Sequence, residues 1–362
     1  MEGKRGKIEK ISEKLVDIGF IIYISSLVIS KAGLNIGLAF IVLGFLTDLK
    51  RNIGRIKEMS LEYKVVISFL LIYSFYDLVT PGFIKSFSIE VGELYRILPL
   101  MIVPLYKKKY SVIRKYVEIM IAFFSLAVVY NLFDYDVSKM ERLNGFLYST
   151  TTGHISAMIL IFIFGMFLNE KNKIKKSYYL LIEILGVYML FLTATRAAIL
   201  GLLIASILLS ILKYRKKSIS IIIIILILSL IMINKVGYLN NFKISDIKKE
   251  ISLNTRLTMW RVSLKHFTEE SFLYLGLGRD TLTEVFEKER EIHPETLIEK
   301  KYAGNPHNMY VLILSEKGLY IFISFISIFV AYLLKSTFLL RGNELFYSLI
   351  GSQIVYFISG LT

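Results

Sequence analysis

The side chains best suited to chemistry are three arginines that are predicted to meet at one membrane surface. Arg196 stands between two apolar runs, and Arg256 and Arg261 lie on a predicted amphipathic helix. A guanidinium fork matches the oxygens of a phosphate or diphosphate, and an arginine at the outer edge of a membrane needs an anionic partner. The pattern indicates a phosphate-bearing ligand, with a lipid headgroup contact or a structural ion pair as the simpler alternative.

A histidine supplies the group that could move a proton. His307 stands in Asn305-Pro306-His307-Asn308, where the chain is predicted to re-enter the membrane. A histidine near its unperturbed pKa can accept a proton from a hydroxyl at neutral pH, as general-base catalysis requires. A capping histidine is the simpler interpretation, so the functional one depends on the predicted position opposite the arginines.

Two further side chains are candidates for contact with a ligand. Trp260 lies one helical turn from Arg256, and an indole face can stack on a sugar or rest among lipid headgroups. Glu316 lies inside a predicted span, where an acid is a functional candidate by default. We predict no metal and no cofactor: the chain has no cysteine, and Asp134-Tyr135-Asp136 is interpreted as a solvated loop.

The elements that must position these residues are membrane-spanning helices. Apolar residues make up 55% of the chain and the mean hydropathy is +0.59, values too high for a soluble protein of this length. We therefore predict an all-α, polytopic transmembrane helical bundle of about eleven or twelve spans. The assigned spans are 15–30, 32–48, 65–79, 94–106, 116–132, 154–168, 178–195, 197–212, 218–234, 307–334 and 345–361.

The distribution of charge predicts the orientation. The formal net charge is +15, and most of the lysines and arginines lie in alternate connections between the spans. Cytoplasmic connections are enriched in this way, so we predict a cytoplasmic amino terminus and an uncleaved first span in an inner membrane. The charge is explained by topology and membrane lipids, and no nucleic-acid partner is needed.

One integrated domain with a large insertion is predicted: spans in 1–234, a periplasmic loop at 235–306 and further spans in 307–362. Within the loop, Asn254 is expected to cap an amphipathic helix, and Thr281 to Glu291 is expected to form a second helix. The first helix should bury one apolar stripe, made of Leu257, Trp260, Leu264 and Phe267. Gly276 and Gly278 should form the turn between the helices, and the span 307–334 is long enough to break at Gly318.

These motifs, in this order, resemble the O-antigen ligase and O-antigen polymerase superfamily of bacterial envelope glycosyltransferases. The resemblance rests on Thr195-Arg196-Ala197-Ala198, on Arg256-Leu257-Thr258-Met259-Trp260 before Gly276-Leu277-Gly278, on His307-Asn308 followed by Gly318, and on Arg142 and Gly145. Leu319-Tyr320 follows Gly318 in place of the Thr-Gly often found in ligases, so the superfamily fits better than the ligase label.

The resemblance implies a metal-independent, inverting transfer of a glycan on the periplasmic side. The donor would be an undecaprenyl-diphosphate-linked glycan, and the acceptor a sugar hydroxyl of lipid A-core. Arg196, Arg256, Arg261 and Arg142 would bind the diphosphate, and His307 would deprotonate the acceptor. Trp260, Asn308 and Glu316 would contact the sugars.

Three alternatives remain open at this stage. A Wzy-type polymerase would use the same donor with a second lipid-linked glycan as acceptor. A cell-wall glycan polymerase of the shape, elongation, division and sporulation type has a similar number of spans. A transporter or flippase would bind the diphosphate without cleaving a bond, but transporters place polar residues near the midplane and often contain inverted repeats, neither of which is evident here.

Overall fold

A computed structural model describes residues 2–76, 97–136, 142–215, 218–219, 223, 227, 251–269, 274–278, 281–292, 306–339 and 345–361. These residues form helices joined by turns, and no strand occurs among them. The helices are α1 Glu2–Ser25, α2 Lys31–Thr47, α3 Leu49–Lys57, α4 Leu61–Phe75, α5 Tyr110–Asp134, α6 Ser149–Asn169, α7 Lys173–Leu192, α8 Arg196–Tyr214, α9 Ile251–Glu269, α10 Thr281–Ile292, α11 Met309–Leu339 and α12 Phe346–Ser359. A 3₁₀ turn spans Val103–Leu105.

Length and hydropathy confirm an all-α membrane protein. Within the described ranges, α5, α6, α8 and α11 are long and apolar enough to cross a membrane, and α2 with α3 adds a fifth if this bent pair is one span. The predicted span 218–234 lies almost wholly outside the described residues, and parts of 65–79 and 94–106 do as well.

The chain divides into two compact units. The first unit contains residues 1–71 and 92–195, and the second contains residues 72–91 and 196–362. In the first unit, α1 and α2 form a close helical hairpin because Gly19 and Gly37 face each other. A Cβ atom on Gly37 would lie 2.6 Å from the Tyr23 nitrogen and 2.7 Å from the Gly19 oxygen, so only glycine permits this approach.

Helix α3 turns sharply away from α2 and has the character of an interfacial helix. The two helix axes differ by 90°. Leu49, Ile53 and Ile56 are exposed on α3, which also carries Lys50 and Arg51. An amphipathic, basic helix of this kind lies in the plane of a membrane surface. This pattern favours a position of α3 at the boundary between lipid and water, as an alternative to one broken span formed by α2 and α3.

In the second unit, α8 packs along α12, and α12 also packs along α11. The prediction that the span 307–334 can break is confirmed, because Gly318 has a non-helical backbone with φ 78° and ψ 177°. The rings of Tyr310 and Phe325 lie 6.5 Å apart. In a straight helix their Cα atoms would be separated by about 22 Å, so α11 consists of two limbs that fold towards each other at Gly318.

Candidate active site

The turn that carries His307 is held by the start of α11. Asn308 is buried, and its side-chain oxygen accepts hydrogen bonds from the backbone nitrogens of Tyr310 at 3.0 Å and Val311 at 3.1 Å. This is the N-cap arrangement that satisfies the first turn of a helix. His307 itself has a positive φ of 53°, a strained conformation for a histidine that is often found at functional sites. The predicted sugar contact by Asn308 stays a prediction.

Trp260 ties this turn to α9. The indole nitrogen donates a hydrogen bond to the carbonyl oxygen of Pro306, the residue before His307, at 2.7 Å. Trp260 is partly buried, as is Arg256, which lies one turn earlier on nearly the same face of α9. The tryptophan that we predicted as a stacking surface therefore also fixes the distance between the arginine helix and the histidine turn.

A small apolar core holds α9 in place. Met259 and Val262 of α9 pack with Leu277 of the turn and with Leu282 and Phe286 of α10. Leu312, in the first limb of α11, packs against the same core. Each fully buried side chain of this size contributes about 1.5–3 kcal/mol, so the described part of the insertion is folded onto α11. Its predicted location outside the membrane stays a prediction.

Two details of the predicted α9 are wrong. The helix begins at Ile251, so Asn254 lies inside it and is not its N-cap. Leu257 and Leu264 are 47% and 38% exposed, because the buried face is rotated towards Met259, Val262 and Phe267. The second loop helix is confirmed, at Thr281–Ile292.

The glycines of the turn meet the glycine at the break in α11. Leu277 nitrogen donates to the Ser315 oxygen at 2.8 Å, and Gly278 nitrogen donates to the Glu316 oxygen at 3.0 Å. A break in a helix leaves carbonyl groups without their usual partners, and these two bonds satisfy two of them. A Cβ atom on Gly276 would lie 2.3 Å from the Glu316 oxygen. Sequence reasoning identified both glycine motifs but gave no signal that they touch.

Arg256 and His307 are close enough to interact electrostatically. The pKa of His307 is lowered from its ordinary value of 6.5, first because burial disfavours the charged imidazolium and second because Arg256 is positively charged. Within the described ranges, no ion pair involves Arg256 or Arg261. The arrangement can therefore present an uncharged imidazole beside a guanidinium.

Arg196, which the sequence places between two spans, lies at the first position of α8, and α7 ends at Leu192. Near that end of α8, Gly201 approaches Val355 and Ser359 of α12. The next residue, Gly360, accepts a hydrogen bond from the Met309 nitrogen at 2.8 Å. The start of α8 and the start of α11 therefore lie at the same end of the second unit.

The positions of two other predicted site residues, Arg261 and Glu316, follow from helix geometry. Arg261 is exposed and lies about 140° around the α9 axis from Arg256, so the two do not share a face. Glu316 is buried at the far end of the first limb of α11, about 13 Å along the helix axis from His307. The predicted roles of both residues stay predictions.

Arg142 belongs to the first unit, where its side chain supports a backbone turn. Its Nε donates to the Thr193 oxygen at 2.9 Å, and a terminal nitrogen lies 3.4 Å from the Ala194 oxygen. Ala194 has a positive φ of 53°, which is costly for alanine. Arg142 therefore stabilises a strained turn, and its predicted part in diphosphate binding stays a prediction.

Residues 181–326 match the family model described as O-antigen ligase. The predicted resemblance is confirmed. The matched segment contains Arg196, Arg256, His307 and both glycine motifs, whereas Arg142 lies outside it. No curated protein matches the sequence. The match to the O-antigen ligase family supports a ligase-like or polymerase-like function in general terms.

The electrostatics around His307 predict a specific pH dependence. If His307 acts as a base, activity requires its neutral form and rises as pH increases through its pKa. Because that pKa is lowered, we expect the acid limb of kcat/KM to have its midpoint below pH 6.5. Arg256→Gln removes a positive charge, so the midpoint should move to higher pH, in addition to any loss of rate.

A matched substitution separates this effect from a general change of charge. Lys265→Gln removes an exposed cation from the same helix and should leave the midpoint where it is in the wild type. Both profiles can be measured as kcat/KM for the purified proteins. An Arg256→Gln profile with the wild-type midpoint would show that the titrating group is not His307.

Proposed function

We propose that this chain is an inverting, metal-independent glycosyltransferase of the bacterial inner membrane. It transfers a glycan from undecaprenyl diphosphate to a sugar hydroxyl of lipid A-core on the periplasmic face. The observation that carries the proposal is the hydrogen bond from Trp260 to the Pro306 oxygen, because it joins the Arg256 helix to the His307 turn. The match of residues 181–326 to the O-antigen ligase family supports the same reaction class.

In the proposed reaction, the acceptor hydroxyl attacks the anomeric carbon of the donor sugar from the face opposite the diphosphate. His307 accepts the hydroxyl proton as the new carbon–oxygen bond forms. The bond from the anomeric carbon to the diphosphate oxygen breaks, and undecaprenyl diphosphate leaves with both electrons of that bond. Arg196 and Arg256 stabilise the negative charge that develops on the leaving group, and Arg261 adds to the positive potential.

The amino-terminal ends of two helices favour the location for the diphosphate that Arg196 and Arg256 also favour. Arg196 is the first residue of α8, and His307 lies two residues before the first residue of α11. The amino-terminal end of a helix carries a partial positive charge, which favours a phosphate. Two such ends lie at one end of the second unit, together with the arginines.

Purified protein given a lipid-linked glycan and lipid A-core provides the test. We expect a glycan-capped lipid A-core and release of undecaprenyl diphosphate. Arg196→Gln should lower kcat by about 10²-fold, as loss of one electrostatic donor to a transition state does. Lys213→Gln, at the other end of the same helix, should retain nearly full activity.

The same assay distinguishes the second candidate, a Wzy-type polymerase. Leu319-Tyr320 after Gly318 favours this candidate, because it replaces the Thr-Gly often found in ligases. With a second lipid-linked glycan as acceptor, a polymerase gives a ladder of longer glycans and leaves lipid A-core unchanged. Transport without release of undecaprenyl diphosphate would contradict both enzyme proposals.

A further inference from the structure

Two adjoining cavities lie in the first unit, and no residue of the proposed transferase site lines either of them. One has a volume of about 350 Å³ and is polar, with Glu13, Arg55, Glu58 and the consecutive lysines 107–109 in its lining. The other has a volume of about 420 Å³ and is apolar, with Phe20, Ile24, Val117 and Met120 in its lining. Both volumes are within the range of ligand-binding pockets. Tyr106 and Lys108 line both cavities.

The wall between the two cavities is preformed. The Tyr106 hydroxyl lies 2.9 Å from the Ser12 hydroxyl and accepts a hydrogen bond from Asn52 Nδ2 at 2.8 Å. Tyr106 is almost fully buried in a core with Val16 and Ile41. A rigid wall means that a ligand does not have to order this part of the protein on binding, which favours affinity.

Not all of the cations in the polar cavity are available to a ligand. Arg55 is paired with Glu9 at 3.1 Å and with Glu13 at 3.2 Å. Lys108 donates to Asp17 at 2.8 Å. Lys107 and Lys109 are exposed, and in the described part of the chain neither forms an ion pair. These two lysines give the cavity an unneutralised positive charge, which Glu58 offsets only in part.

The polar and apolar cavities follow each other along the same two helices. On α1 the lining passes from Glu13 to Ile24, and on α5 it passes from Lys109, just before the helix, to Met120. Each interval corresponds to about 16 Å of helix. The interfacial helix α3 contributes Arg55 to the polar end, so that end lies at the membrane surface. The polarity and length match a phospholipid with its headgroup at the surface and an acyl chain inside.

We propose that this pair of cavities binds one anionic glycerophospholipid. Lys107 and Lys109 contact the phosphate of the headgroup, and one acyl chain occupies the apolar cavity against Phe20, Val117 and Met120. Basic pockets between membrane helices on the cytoplasmic side bind anionic headgroups, and the lysines belong to a stretch that the charge pattern assigns to that side. The site is independent of the proposed transfer reaction.

Native mass spectrometry of the full-length protein in detergent can test this proposal. The probes are dioleoyl phosphatidylglycerol, dioleoyl phosphatidylcholine and dihexanoyl phosphatidylglycerol. We expect one retained molecule of dioleoyl phosphatidylglycerol and weaker retention of the other two, which lack the net charge or the long chain. Equal retention of dioleoyl phosphatidylcholine would overturn the proposal, and so would displacement of the bound dioleoyl phosphatidylglycerol by a polyprenyl phosphate.

Substitutions in the lining of the two cavities test whether the lipid binds there. Lys107→Gln with Lys109→Gln should weaken retention of dioleoyl phosphatidylglycerol by about tenfold, and Val117→Trp should weaken it by filling the apolar cavity. The matched control is Lys171→Gln with Lys173→Gln, which removes two exposed lysines that line neither cavity. An equal loss in the control pair, or no loss in the Lys107 and Lys109 pair, would overturn the assignment.

Discussion

His307→Asn is expected to lower kcat for glycan transfer by about 10²- to 10⁴-fold, the usual contribution of a general base. Asparagine is the informative replacement because it tolerates the positive φ of 53° at this position and keeps a polar side chain. It cannot accept the hydroxyl proton as imidazole does. The turn should therefore remain folded while the chemical step is lost. Turnover by purified protein, measured as release of undecaprenyl diphosphate, tests this expectation.

The matched control is His266→Asn. His266 lies in the last turn of α9, on the helix that Trp260 fastens to the His307 turn. We expect this variant to turn over at nearly the wild-type rate. If His307→Asn retained full turnover, the assignment of His307 as the base would be wrong.

Gly318→Ala is expected to cause a large loss of both stability and activity. Gly318 has φ 78° and ψ 177°, a region that is essentially restricted to glycine and costs other residues about 1–3 kcal/mol. A Cβ atom there would also lie 2.4 Å from the Tyr274 oxygen and 2.5 Å from the Gly276 nitrogen. The turn 274–278 would have to separate from α11, and its bonds to Ser315 and Glu316 would break. Thermal unfolding and turnover of the purified variant provide the measurements.

Gly54→Ala is the control for this substitution. Gly54 lies in helix α3, and a Cβ atom there would meet nothing within 4 Å. Alanine has the higher helix propensity, by about 1 kcal/mol, so this variant should be as stable as the wild type or slightly more stable. If Gly318→Ala had the melting temperature and turnover of the Gly54→Ala variant, the contact between the two glycine motifs would not support the site.

The sequence predicts the helical fold well because membrane helices carry a strong compositional signal. The apolar runs at 116–132, 154–168 and 197–212 each lie within an observed helix. The break at Gly318 was also foreseeable, because glycine in a stretch too long for one span is a common point of bending. Among the described residues, four helices, or five with the bent pair α2 and α3, are long and apolar enough to be spans. The predicted ends also differ from the observed ones, as near Arg196, where the apolar run continues on both sides of a short turn.

The local packing of the site could not be predicted in the same way. The spacing of Leu257, Trp260 and Leu264 fits one face of a helix, yet the face that packs contains Met259 and Val262. Both faces have apolar residues, and the partner surface on α10 and α11 decides between them. The bond from Trp260 to Pro306 joins residues that are far apart in sequence, and periodicity carries no information about such a contact.

The first limb of α11 is fastened at both ends. Trp260 fixes it beside His307, and the turn 276–278 fixes it at Gly318. Because each residue added to a helix advances it by about 1.5 Å and rotates it by about 100°, one inserted or deleted residue would put one of the two attachments out of register. The number of residues between His307 and Gly318 is therefore constrained more tightly than the identity of the side chains between them.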